Sequence, residues 1–92
     1  MATSSGKFVG IDVSKDRLDV AVLGEDQGSQ MDNTDKGIAK LVEQMQELEP
    51  DLIVVEATGG YQRAVVDALF QSGLAVAVVN PSRVRQFARA CG

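Results

Sequence analysis

The sequence has no histidine and no tryptophan, and only one cysteine, one tyrosine and two prolines. Without histidine, imidazole acid–base chemistry and the common zinc ligand sets are excluded. Cys91 has no second cysteine to pair with, so no internal disulfide can staple the fold, which suits a reducing compartment. With so few aromatic residues, valine, leucine and alanine have to fill the interior. No apolar run reaches the roughly 18–20 residues of a membrane span, and the opening MATSSGK lacks the apolar centre of a signal peptide. A cytoplasmic location is therefore expected, with no membrane partner and with residues 1–7 as a flexible N-terminus. Positive charge is also scarce, with nine Lys and Arg against thirteen Asp and Glu and a formal net charge of -4. A free-standing nucleic-acid binder is usually basic, so this chain alone should hold nucleic acid weakly.

Hydrophobic residues make up 45% of the 92 residues, enough for the core of one domain or part of one. Their patterning is clearest in FVGIDVSKDRLDVAVL, residues 8–23. Phe8, Gly10 and Asp12 fall on one face of an extended chain, and Val9, Ile11 and Val13 on the other. This predicts a central strand with Asp12 buried inside it, a costly position for an unpaired carboxylate. A turn over Ser14-Lys15-Asp16-Arg17 then leads into a second strand, Leu18 to Leu23. A short polar edge strand is expected over 29–32. Asn33 or Thr34 can cap a helix whose apolar stripe is Ile38, Leu41, Val42, Met45 and Leu48, with Pro50 closing it. Leu52 to Glu56 reads as an inner parallel strand, apolar on both faces.

A second helix is expected from about Tyr61 to Ser72, with Thr58 as its cap and Tyr61, Val65, Ala68 and Leu69 on its inner face. Gly73 fits its left-handed terminus. Leu74 to Val79 makes a further strand, and Asn80-Pro81 opens a last helix. The order β-β-(β)-α-β-α-β-α, with right-handed crossovers, implies a mixed α/β sheet. A chain that stops on so short a helix is expected to be a fragment.

Asp12 and Glu56 end up on neighbouring strands in such a sheet. Two carboxylates about 4 Å apart repel by roughly 4 kcal/mol at an effective dielectric of 20. Protonation of one group or a divalent cation relieves that repulsion. Oxygen-only ligands suit Mg²⁺ or Mn²⁺, and paired ions of this kind can clamp an in-line phosphoryl transfer. The same residues admit a plainer reading, in which Asp12 bonds turn amides and Glu56 is solvated at a strand end. Ser14, Lys15, Thr58, Arg63, Arg83, Arg85 and Arg89 are candidate contacts to a nucleic-acid backbone. Each also reads as an ordinary turn hydroxyl, cap or solvated surface charge, and for Ser14 the turn role is the stronger. Thr58-Gly59-Gly60 lacks the glycine pattern and lysine of a phosphate-binding P-loop.

Three blocks, VGIDVSKDRLDVAV, VVEATGGY and VVNPSRVRQFARACG, occur in order over nearly the whole chain. Together they resemble the opening of the DEDD-type transposases of insertion-sequence family 110. The resemblance implies a RuvC-like, ribonuclease-H-like catalytic domain over residues 8–92, with strand order 3-2-1-4-5. Asp12 matches the family's first acidic residue and Glu56 its second. The third and fourth belong to an aspartate pair on a helix after the last block, so the resemblance implies a domain truncated before them. Asp16, Asp19 and Asp67 do not match those positions. They read as a turn residue, an edge-strand or turn-facing residue, and part of a polar helix face.

The resemblance further implies metal-dependent DNA strand cleavage and transfer during transposition, with Mg²⁺ or Mn²⁺ in the intact enzyme. DNA and a guide RNA are the implied partners, and a homo-oligomer is expected. The fragment alone should bind metal weakly or not at all and be inactive. The family's strand-joining serine lies in a separate domain, so neither Ser14 nor Ser82 matches it. Two other readings stand beside this one. An ATP-dependent sugar-kinase or actin-like fragment also opens with a glycine-acid strand and hairpin, although VSKDR is poor in glycine for a phosphate turn. A non-catalytic assembly remnant is the third.

Overall fold

Alternation in β1 (Phe8–Val13) divides the molecule into two sides. Val9, Ile11 and Val13 are buried, whereas Phe8, Gly10 and Asp12 are exposed. The computed structural model describes residues 6–56 and 59–79. Within them β1 is followed by β2 (Arg17–Val22), β3 (Ser29–Asp32), α1 (Asp35–Leu48), β4 (Leu52–Glu56), α2 (Arg63–Gln71) and β5 (Val76–Val79). The five strands form one sheet in the order β3-β2-β1-β4-β5. The meander β1-β2-β3 is antiparallel, and β1-β4 and β4-β5 are parallel. This is the mixed sheet and the 3-2-1-4-5 order expected from the sequence.

Among the described residues, one core lies on one side of the sheet. Val9, Ile11 and Val13 join Leu18 and Val20 of β2, Ile53 and Val55 of β4, Ile38, Leu41 and Met45 of α1, and Val65 and Leu69 of α2. Each such side chain contributes about 1.5–3 kcal/mol when fully buried, so the helices are held mainly through these stripes. Thr34 caps α1, its Oγ1 accepting from the Gly37 amide at 3.1 Å. The helix stops at Glu49, which is left-handed (φ 51) and donates its amide to the Met45 carbonyl, directly before Pro50. Gly37 lies where α1 crosses the end of β3, and a Cβ there would run into the carbonyl oxygen of Asp32.

Several expectations need correction. Asp12 is exposed rather than buried, because α1 and α2 both cover the opposite side of the sheet. The second face of β4 is only half-buried among the described residues, at Leu52, Val54 and Glu56. The α2 helix starts at Arg63, and Tyr61 lies outside it and is exposed, not on its inner face. Gly59 and Gly60 both have positive φ (68 and 82), which prolongs the turn through Tyr61 and Gln62. At its other end, Gly73 (φ 80) does take the left-handed position. The Leu74 amide then donates back to the Leu69 carbonyl, so β5 begins at Val76 rather than Leu74. Arg17 belongs to β2, not to the turn, because the Ser14 amide donates to its carbonyl at 2.9 Å and closes the hairpin there. The Thr58 cap and the helix expected after Asn80-Pro81 lie outside the described residues.

Candidate active site

Register brings the two sequence-predicted acids together. In the parallel β1-β4 pair, Asp12 stands opposite Glu56. Lateral partners in neighbouring strands point to the same face, with strands about 4.8 Å apart. Asp12 is exposed and Glu56 half-buried. Both line a cleft of about 560 Å³ on the side of the sheet away from α1 and α2, together with Gly10, Asp19 and Gln30. A Cβ at Gly10 would meet nothing within 4 Å, so this face is open above β1 among the described residues.

A third carboxylate completes the row. Asp19 is the partner of Asp12 across the hairpin, and Gln30 is the partner of Asp19 on β3. Gln30 Nε2 donates to Asp19 Oδ1 at 2.6 Å, and Arg17 Nη1 reaches Gln30 Oε1 at 3.5 Å, a long and weak contact. One oxygen of Asp19 is thus held from the edge of the sheet. No group of three or more His, Cys, Asp or Glu side chains among the described residues is placed to hold a metal ion. Asp12 and Glu56 are the two carboxylates that the β1-β4 register sets side by side. Mg²⁺ keeps several of its waters and is commonly bound through one or two carboxylates, so two oxygen-donor side chains on an open face fit that class of ion.

The remaining candidates divide by position. Ser14 and Lys15 are exposed on the turn after Asp12. Ser14 Oγ donates to the Arg17 carbonyl at 3.2 Å, the turn role read from the sequence. Arg63 is exposed at the first residue of α2. Because β1 and β4 are parallel, the Ser14-Lys15 turn and the loop leading to Arg63 leave the sheet at the same end. Thr58, Arg83, Arg85 and Arg89 lie outside the described residues. Asp16 is an exposed turn residue and Asp67 is exposed on α2.

Two features were missed in the sequence. From the sequence Asp19 reads as edge or turn-facing, yet a tight turn pairing Val13 with Leu18 already puts Asp19 opposite Asp12. Asn33 reads from the sequence only as a candidate cap. Thr34 takes that role, and Asn33 Nδ2 instead donates to the carbonyls of Ser14 (3.0 Å) and Tyr61 (3.2 Å).

The family model of the insertion-sequence 110 DEDD transposases, described as a transposase, matches residues 9–91. The chain belongs to this transposase family. Among solved structures it is similar to Thermus thermophilus RuvC in complex with a Holliday junction substrate. That likeness has a TM-score of 0.66 and 19% identity, and covers 87% of this chain and 68% of that one. A second Thermus thermophilus RuvC structure gives 0.64 and 22% identity, covering 87% of this chain and 65% of the other. The family member therefore has the RuvC-like, ribonuclease-H-like fold and spans about two thirds of those RuvC chains. A Bacteroides thetaiotaomicron protein with an actin-like ATPase fold and unknown function is also similar. Its TM-score is 0.62 at 19% identity, covering 85% of this chain and 34% of that one. Sheet topology alone is thus shared with the actin-like alternative, and it is the family match that separates the two. No curated protein matches the chain. No helix among the described residues is long and apolar enough to cross a membrane.

Proposed function

We propose that this transposase-family chain provides two acidic ligands, Asp12 and Glu56, of a Mg²⁺- or Mn²⁺-dependent centre for DNA strand cleavage and transfer. The observation that carries the reading is their lateral pairing on adjacent parallel strands, facing one open cleft. When bound, such an ion activates an attacking oxygen and stabilises a leaving one in phosphoryl transfer. Asp12 and Glu56 hold their oxygens in place through the β1-β4 ladder. Lys15 and Arg63, and the Ser14 turn, take the phosphate backbone at the same end of the sheet. The likeness to a RuvC bound to a Holliday junction supports DNA as the substrate. The family resemblance extends the reading to a guide RNA and to further acids in the intact protein. With two carboxylates alone, the 92 residues bind divalent ions weakly.

The test is Asp12→Asn in the full-length protein, with guide RNA supplied if it is required. Asn keeps the volume of Asp12 and removes its charge. DNA cleavage is measured across a Mg²⁺ series, and thermal melting alongside it. Cleavage should be largely lost with the fold intact. Cleavage at the wild-type rate by a normally folded variant would refute the role given to Asp12.

A further inference from the structure

We infer that Asn33 is a positioning residue for the two connections that lead out of the Asp12–Glu56 pair, an inference that rests on the metal-centre reading above. A side-chain amide carries two N–H donors in one rigid plane. In Asn33 the same nitrogen reaches both the Ser14 carbonyl, at 3.0 Å, and the Tyr61 carbonyl, at 3.2 Å. Ser14 follows Asp12 closely on the turn out of β1, and Tyr61 lies on the loop that leaves β4 after Glu56. The Asn33 backbone amide also donates to the Asp16 carbonyl at 3.0 Å, which seats the residue on the hairpin turn. One side chain therefore ties the turn after the first acid to the loop after the second.

The β1-β4 ladder fixes the backbones of Asp12 and Glu56 but not the two connections beyond them. Those connections carry Ser14, Lys15 and the approach to Arg63, the groups assigned to the phosphate backbone. In the second connection Gly59 and Gly60 take positive φ angles (68 and 82) and carry no side chain that could brace it. The Asn33 tie closes the gap between the two connections at Tyr61. Asn33 touches neither substrate nor metal in this role; it sets the separation of the groups that do.

The isosteric change Asn33→Asp keeps the shape of the side chain and removes both donors. It sets carboxylate oxygens against two carbonyl oxygens, while the Thr34 cap of α1 is left in place. Asn33→Ser removes the reach without adding charge. In the full-length protein, kcat, KM and the Mg²⁺ half-saturation for DNA cleavage are measured for wild type, both Asn33 variants and Asp12→Asn, with melting curves for each. Well below its melting temperature, Asn33→Asp should lose about tenfold or more in kcat, in line with the cost of misplacing reacting groups. It should also need more Mg²⁺, and Asn33→Ser should shift the same way. A lower melting temperature with wild-type kcat and Mg²⁺ half-saturation would overturn the inference, because a purely structural bond moves only stability. If Asn33→Asp does not fold, Asn33→Ser decides, and failure of both to fold assigns Asn33 to stability and also overturns it. An inactive Asp12→Asn beside normal Asn33 variants removes only the positioning role. A fully active Asp12→Asn removes the metal-centre reading, and the positioning role falls with it.

Discussion

Gly37 is defined by what would collide with it. The Asp32 carbonyl oxygen occupies the place of its missing Cβ, and this oxygen belongs to backbone that cannot rotate away. Gly37→Ala should therefore destabilise the protein even though alanine is the better helix former. The expected loss is about 1–3 kcal/mol or more, the range for overpacking a tight contact, measured as a lower urea midpoint with an unchanged slope. Wild-type stability in this variant would mean that α1 can shift away from β3 at no cost. Other residues differ in how far the sequence revealed them. Alternation alone assigned Asp12 to one face of β1 and Val9, Ile11 and Val13 to the other. It could not say which face the helices cover, so the exposure of Asp12 had to come from the folded chain. Asn33 was illegible for a different reason. Its partners, Ser14 and Tyr61, belong to distant connections, and no local pattern records a bond of that kind.

At the scale of elements, α1 was the easiest to read, and its cap shows why. Asn33 and Thr34 are both good capping types and adjacent, so propensity could not choose between them. The structure gives the cap to Thr34, whose Oγ1 accepts from the Gly37 amide. Thr34→Ala should cost about 1 kcal/mol, the usual loss for a removed cap. Thermal or urea unfolding will show it, and DNA cleavage by the folded variant should stay at the wild-type rate. That contrast with Asn33→Asp separates two neighbouring residues by what they do. The start of α2 lies at Arg63 rather than near Tyr61 because the glycine pair extends the turn and leaves Tyr61 outside the helix. The parallel pairings were legible from the helical crossovers, the full 3-2-1-4-5 order came with the family resemblance, and β4 lies at Leu52–Glu56 as expected. The row of Gln30, Asp19, Asp12 and Glu56 depends on register, which the alternation of β3 was too weak to set.

For the whole molecule, the proposed Asp12–Glu56 centre should make stability depend on divalent cations. An ion that binds only the folded form stabilises it by mass action, by about 1.4 kcal/mol at tenfold over its dissociation constant. In the 92-residue chain, Mn²⁺ should thus raise the melting temperature by several degrees at high concentration. Asp12→Asn should abolish this gain. It should also melt no lower than wild type without metal, because one charge of an adjacent carboxylate pair is gone. Melting curves with and without Mn²⁺ test both parts, and an equal Mn²⁺ response in the variant would locate the binding elsewhere.

The parallel pairing of β1 with β4 also has a consequence for the order in which the chain folds. The antiparallel meander β1-β2-β3 joins neighbours in sequence, and hairpins of that kind form in about 1–10 μs. Asp12 and Glu56, by contrast, are separated along the chain by β2, β3 and the whole of α1. Their alignment has to wait for the crossover helix to dock and for the entropy of closing that long loop to be overcome. A nascent chain with only its meander in place carries Asp12 on a finished strand with an empty berth beside it. On the proposed metal-centre reading, cation affinity therefore arrives late, and a metal added during refolding should report on the docking of β4 rather than on the first hairpin.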